Sequence, residues 1–161
     1  MSRRARPMTE PGQKTCVRLR PAIASDLPEI IGEPLPYRIR AITVLADDRV
    51  IGLGGIAFPP YGPVIAFVQQ AADAKNYPVA FHRAGLLAMR MIRDAGIMQV
   101  IATTDRDNPT AVRWIRRLGF VTSAAQPFGD KLLFEWNRDV TVVAPNERTT
   151  ADDTGPSRTG V

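Results

Sequence analysis

The sequence predicts one α/β (α+β) domain built on a mixed, mostly antiparallel sheet, and three observations carry that prediction. The chain has 161 residues, 45% of them hydrophobic and 23% charged, enough for a single core and too few for two ordinary domains. Its first half is dominated by short alternating runs rich in β-branched residues. Its second half holds two segments of helical periodicity, each opened by a proline and closed by a glycine. The resulting order is β-α-β-β-β-α-β-α-β-β over residues 15–137.

The elements follow from local chemistry. Cys16-Val17-Arg18-Leu19-Arg20 alternates as a strand and stops at Pro21, after which Ser25-Asp26 offers an N-cap for a short helix to about Ile31. Gly32, Pro34 and Pro36 end that helix. Tyr37 to Ala46 and Val50 to Phe58 read as a hairpin turning at Asp47-Asp48, and the proline-rich Pro59 to Pro63 loop leads into Val64 to Val68, an apolar run of the central-strand type. Pro78 opens a helix of about eighteen residues whose apolar face is read as Ala80, Ala84, Leu87, Ala88, Met91 and Ala95, with Arg83, Arg90 and Arg93 on the wet side and Gly96 as the left-handed cap. Gly85 inside it costs about 1 kcal/mol against alanine, so it marks either close packing or a tolerated imperfection. Met98 to Thr103 is a strand. Asn108 then caps a second helix with Pro109 in its first turn, Ala111, Trp114, Ile115 and Leu118 on one face, and Gly119 at its end. Phe120 to Ala124 and Lys131 to Trp136 close the domain as a hairpin through Pro127-Phe128-Gly129-Asp130.

Composition removes several function classes. One cysteine, Cys16, allows no internal disulfide, and one histidine, His82, leaves no His/Cys cluster for a metal. None of the four serines sits in GxSxG. No apolar run approaches the roughly 18 residues of a membrane span, and the start lacks the apolar block of a secretory signal, so a cytoplasmic protein is expected. Net charge is +5, of which +3 lies in residues 1–14, −1 in 138–161 and +3 between them. Residues 1–14 and 138–161 lack apolar periodicity and are expected to be disordered. The mildly basic domain suits anionic ligands such as CoA-like phosphates and lacks the dense basic stripe of a DNA-binding protein, although Arg38, Arg40 and the N-terminus offer a weak nucleic-acid reading. Gly52-Leu53-Gly54-Gly55-Ile56-Ala57 has dinucleotide-fingerprint spacing, but Phe58-Pro59-Pro60 forbids the helix that motif needs, so close strand packing explains these glycines better.

The segment Asn108-Pro109-Thr110-Ala111 to Leu118-Gly119-Phe120, with the opening Arg18-Leu19-Arg20-Pro21-Ala22 and Asp26, resembles GNAT-type N-acetyltransferases, and the element order agrees over residues 15–137. One of the usual two early helices is missing, a form similar to short GNAT-like proteins of tailed phages, some of them virion-associated. The resemblance implies acetyl-CoA as co-substrate, held between the fourth and fifth strands, and an amine acceptor, either a small molecule or a protein. It places Phe67, Val68 and Gln69 against the pantetheine, Val79, Ala80, His82 and Arg83 at the phosphates, and Asn108 beside the pantetheine arm or as an N-cap alone. Phe81 and Arg83 stand where the family's phosphate loop carries glycines, and Lys75, His82 and Arg83 supply charge instead. Ile115 occupies the usual general-acid position and cannot donate a proton. Gln69 and Gln70 cannot titrate, and the nearest carboxylates, Asp73 and Asp105, read as loop or capping residues, so no catalytic residue is assigned. A GNAT-fold binding or structural protein without activity is the alternative. Both readings turn on whether the strands at 64–69 and 98–103 separate and whether Phe81 blocks the helix start.

Overall fold

The computed structural model describes residues 15–30, 32, 37–125 and 129–139. The arm at 1–14, the stops at Pro34 and Pro36, Pro127-Phe128 and the tail from 140 onward lie outside the described residues. The elements are β1 (Val17–Pro21), α1 (Asp26–Ile30), β2 (Arg38–Ala46), β3 (Arg49–Phe58), β4 (Val64–Gln70), a 3-10 turn (Ala74–Asn76), α2 (Pro78–Asp94), β5 (Gln99–Asp105), α3 (Pro109–Arg117), β6 (Val121–Thr122) and β7 (Lys131–Asn137). This is the expected order. The strands form one seven-stranded sheet, β1-β2-β3-β4-β5-β7-β6, antiparallel except where β4 meets β5.

The β2–β3 hairpin turns on Asp47 and Asp48, both with positive φ (48° and 64°), the backbone that a tight hairpin requires. Strand alternation then gives the sheet two unlike faces. Val44, Ile56, Val100 and Phe134 point to the face covered by α2 and α3, where they pack with Phe81, Met89, Ile92, Ile115 and Leu118. Thr43 points to the other face, where its Oγ1 donates to the Asp26 carboxylate at 2.7 Å and α1 sits.

Asp26 is 2% exposed and does not act as the expected cap. Its carboxylate turns inward, taking two guanidinium hydrogen bonds from Arg20 (2.6 and 2.7 Å) and the backbone N–H of Ile23 at 2.9 Å. The Arg20 guanidinium, helped by the Ile23 N–H and the Thr43 hydroxyl, lowers its pKa to about 2 against the opposing effect of burial.

The apolar face of α2 is rotated from the one the sequence suggests. Ala84 and Ala88 are buried as expected, but Phe81, Gly85, Met89 and Ile92 join them, while Leu87 and Ala95 are exposed. The reason is the neighbour: α3 lies alongside, and a Cβ on Gly85 would stand 2.9 Å from Trp114 Cζ2 and 3.1 Å from Leu118. Close packing, not tolerated imperfection, accounts for this glycine. The face of α3 is as expected, with Ile115 and Leu118 buried and Arg113, Arg116 and Arg117 exposed.

Candidate functional site

The strands β4 and β5 run parallel but pair only at Val64↔Val100 and Ile65↔Ile101. Beyond that point they diverge, although β4 continues to pair with β3 as far as Gln70↔Gly52 and β5 with β7 as far as Asp105↔Lys131. The result is a wedge of about 490 Å³ with β4 and β5 as walls and α2 and α3 as its floor. It also explains why β4, fourth of seven strands and apolar in sequence, grades from half-buried at Val64 to exposed at Gln70. Its second half has lost a neighbour, and its main-chain groups on that side have no strand partner.

Each sequence-derived site residue can be located. Phe67, Val68 and Gln69 line the wedge on the β4 edge. Val79, Ala80, His82 and Arg83 lie in the first turns of α2 and are not among the residues lining the wedge. Val79 is 64% exposed, Arg83 is exposed, His82 is half-buried, and Ala80 packs half-buried against the β2–β3 core. The cap residue Tyr77 makes no side-chain hydrogen bond, and Phe81 N–H is the first to bond back, to Tyr77 O at 3.2 Å. The N–H groups of Val79 and Ala80 therefore precede the helical ladder, at its positive end.

Phe81 does not plug this end. Its ring turns onto β3, so close beneath Gly52 that a Cβ there would meet ring atoms at 2.6 Å, and it is 6% exposed. The glycines at 52–55 thus serve strand packing, and no helix follows them. Asn108 acts as the N-cap of α3, its Oδ1 accepting from Ala111 N–H at 3.0 Å, which leaves its side-chain NH₂ as the group able to donate outward.

Of the remaining residues, the place of Trp114 in the wedge was not legible from the sequence, whereas Ile115, Asp105 and Asp73 were named there. Trp114 lines the wedge, and its Nε1 is buried with no hydrogen-bond partner among the described residues. Ile115, also lining it, is 8% exposed and offers no proton. Asp105, on the β5 wall, pairs with Lys131 Nζ at 3.2 Å. Asp73 instead forms an exposed pair with Arg49, which lowers its pKa, and stays with the 3-10 turn. Cross-strand register created the Asp105–Lys131 pair; the 26-residue separation gave no local signal.

An acyl-CoA suits this arrangement in three respects. The unpaired β4 edge can bond an amide-bearing arm, the free N–H groups at the α2 start can receive phosphate, and the wedge admits a narrow chain. Among the described residues no helix is long and apolar enough to cross a membrane.

No family model matches the chain and no curated protein matches it in sequence. Solved structures do match. A protein from Desulfovibrio desulfuricans, described as a candidate acetyltransferase of the GNAT family, superposes with TM-score 0.57 at 13% identity, covering 76% of this chain and 99% of its own. The ribosomal-protein-alanine N-acetyltransferase of Brucella melitensis gives 0.59 at 16%, covering 74% and 99%. The PaiA N-acetyltransferase of Thermoplasma acidophilum, solved in complex with coenzyme A, gives 0.50 at 15%, covering 62% and 60%. The splayed mixed sheet, with two helices on one face and a short one on the other, is the fold of GNAT acetyltransferases.

Proposed function

We propose that this protein is an acyl-CoA-dependent N-acyltransferase that moves an acetyl group from acetyl-CoA to a primary amine on a small molecule or a protein. The observation that carries the reading is the divergence of β4 from β5 after two residue pairs. In this reading the edge at Phe67, Val68 and Gln69 bonds the pantetheine amides. The N–H groups of Val79 and Ala80, with Lys75, His82 and Arg83 nearby, take the diphosphate. The NH₂ of Asn108 donates to the pantetheine arm while its oxygen keeps the cap.

The chemistry asked of the side chains is small. With Ile115 at the acid position, the wedge offers positioning of a neutral amine against the thioester and main-chain N–H donors for the developing oxyanion. The amine nitrogen bonds the acyl carbon as the carbon–sulfur bond breaks, and the proton that the nitrogen sheds passes through water to the leaving thiolate, giving the amide and free thiol. Calorimetric titration with acetyl-CoA tests the binding half, and thiol release in the presence of primary amines tests the transfer. A folded protein that binds no acetyl-CoA at millimolar concentration refutes the reading.

A second reading, a GNAT-fold binding or structural protein of the kind some tailed phages carry, is favoured by one observation. The residue at the acid position is an isoleucine committed to the core. A folded protein that neither binds acetyl-CoA nor releases thiol with any amine would select it.

A further inference from the structure

We infer that Asp105 is the docking group for the ammonium of the acceptor, with Lys131 as its built-in competitor; this rests on the acyl-transfer reading for its place in a reaction. Among the described residues lining the wedge, Asp105 and Lys131 are the two ionisable side chains, and the rest are apolar apart from Gln69, Thr103 and the indole N–H of Trp114. A cationic amine entering the wedge therefore meets a single carboxylate.

Register fixes where that carboxylate opens. Ile65 and Ile101 are partners across β4 and β5, so Phe67 and Gln69 share a sheet face with Thr103 and Asp105. Gln69 pairs with Leu53 and Leu53 with Thr43, whose side chain meets α1. Asp105 thus faces the side of the sheet away from α2 and α3, where α1 covers only the far end. The α2 start, able to take phosphate, serves the opposite face. Two reactants can then approach the wedge from opposite sides, with the carboxylate on the side where α1 is the one helix among the described residues and lies over the far end of the sheet.

The pair itself shows what the carboxylate accepts. Asp105 and Lys131 stand directly opposite on β5 and β7, with Nζ 3.2 Å from Oδ1, so the site already holds a primary ammonium. Both side chains are more than half exposed, at 63% and 54%. An exposed pair of this kind contributes little to stability, so an incoming ammonium can exchange with Lys131 at little cost. Among the described residues neither side chain of the pair has a further hydrogen-bond or ion-pair partner. Its members therefore push in opposite directions: removing the carboxylate weakens amine docking, and removing the lysine strengthens it. A purely structural pair would make both losses alike.

The test uses n-butylammonium as the probe and saturation-transfer NMR as the readout, on the full chain without acetyl-CoA, so that it does not depend on transfer activity. Asp105→Asn should raise the dissociation constant about fivefold, and Lys131→Met should lower it about twofold to threefold, with thermal midpoints close to wild type. Changes in the same direction, or no change in either variant, overturn the inference, and n-butanol should show no dependence on either residue. Acetyl-CoA titrated separately into wild type and Asp105→Asn should bind equally. Failure of that titration in the wild type counts against the acyl-transfer reading, whereas the butylammonium result alone decides the role of Asp105.

Discussion

Replacing Asp26 by asparagine isolates the contribution of one buried charge to the attachment of α1. The Arg20 guanidinium, the Ile23 N–H and the Thr43 hydroxyl hold the Asp26 pKa at about 2, against 3.8 ordinarily. At 1.36 kcal/mol per pKa unit, that difference contributes on the order of 2 kcal/mol to stability at neutral pH. Because the folded-state value lies below the unfolded one, the contribution is complete above about pH 4 and disappears as pH falls through 2. Asp26→Asn keeps the shape of the side chain and removes the charge. Urea unfolding followed by the fluorescence of Trp114 and Trp136 should show the variant about 2 kcal/mol less stable at pH 7, a fall of about 8 °C in Tm for a domain of this size. The gap should narrow to about half near pH 3 and to a few tenths of a kcal/mol near pH 2. An equal gap at pH 7 and pH 3 would refute the reasoning, because the loss would then come from packing rather than charge.

Three other outcomes follow from the same geometry. Asn108→Ala removes the cap on Ala111 N–H and should lower stability by about 1 kcal/mol in denaturant titration, with a further loss of acetyl-CoA affinity by calorimetry if its NH₂ meets the ligand. Arg83→Glu, at an exposed position near the start of α2, should weaken acetyl-CoA about tenfold while moving Tm by no more than a degree or two. With no base assigned in the wedge, an acceptor docked as its ammonium must give its proton to water before it attacks, so kcat/KM should climb about tenfold per pH unit up to the amine's own pKa; a plateau two units below it would reveal a protein base.

The short-range chemistry of the chain was enough to set the order of its elements. Pro78 and Pro109 in first turns, Gly96 and Gly119 as left-handed ends (φ 69° and 95°), and the Asp47-Asp48 turn each act within a few residues. The apolar stripe of α3 was readable for the same reason, since one face is strongly apolar and the other carries three arginines. The stripe of α2 was not, because Phe81 is inside on account of Gly52 on β3, and Gly85 and Met89 on account of partners that include Trp114, Ile115 and Leu118, all more than twenty residues away along the chain. The same holds for Asp26, whose inward turn depends on Thr43 across the sheet, and for the pairing of Asp105 with Lys131, which depends on strand register. Apolar content made Val64 to Val68 a central strand, and it is one; no residue in it announces that its fifth-strand neighbour departs after Ile65. Local propensity decided which segments become strand or helix. Only the twist and register of the assembled sheet decided where two of those strands part.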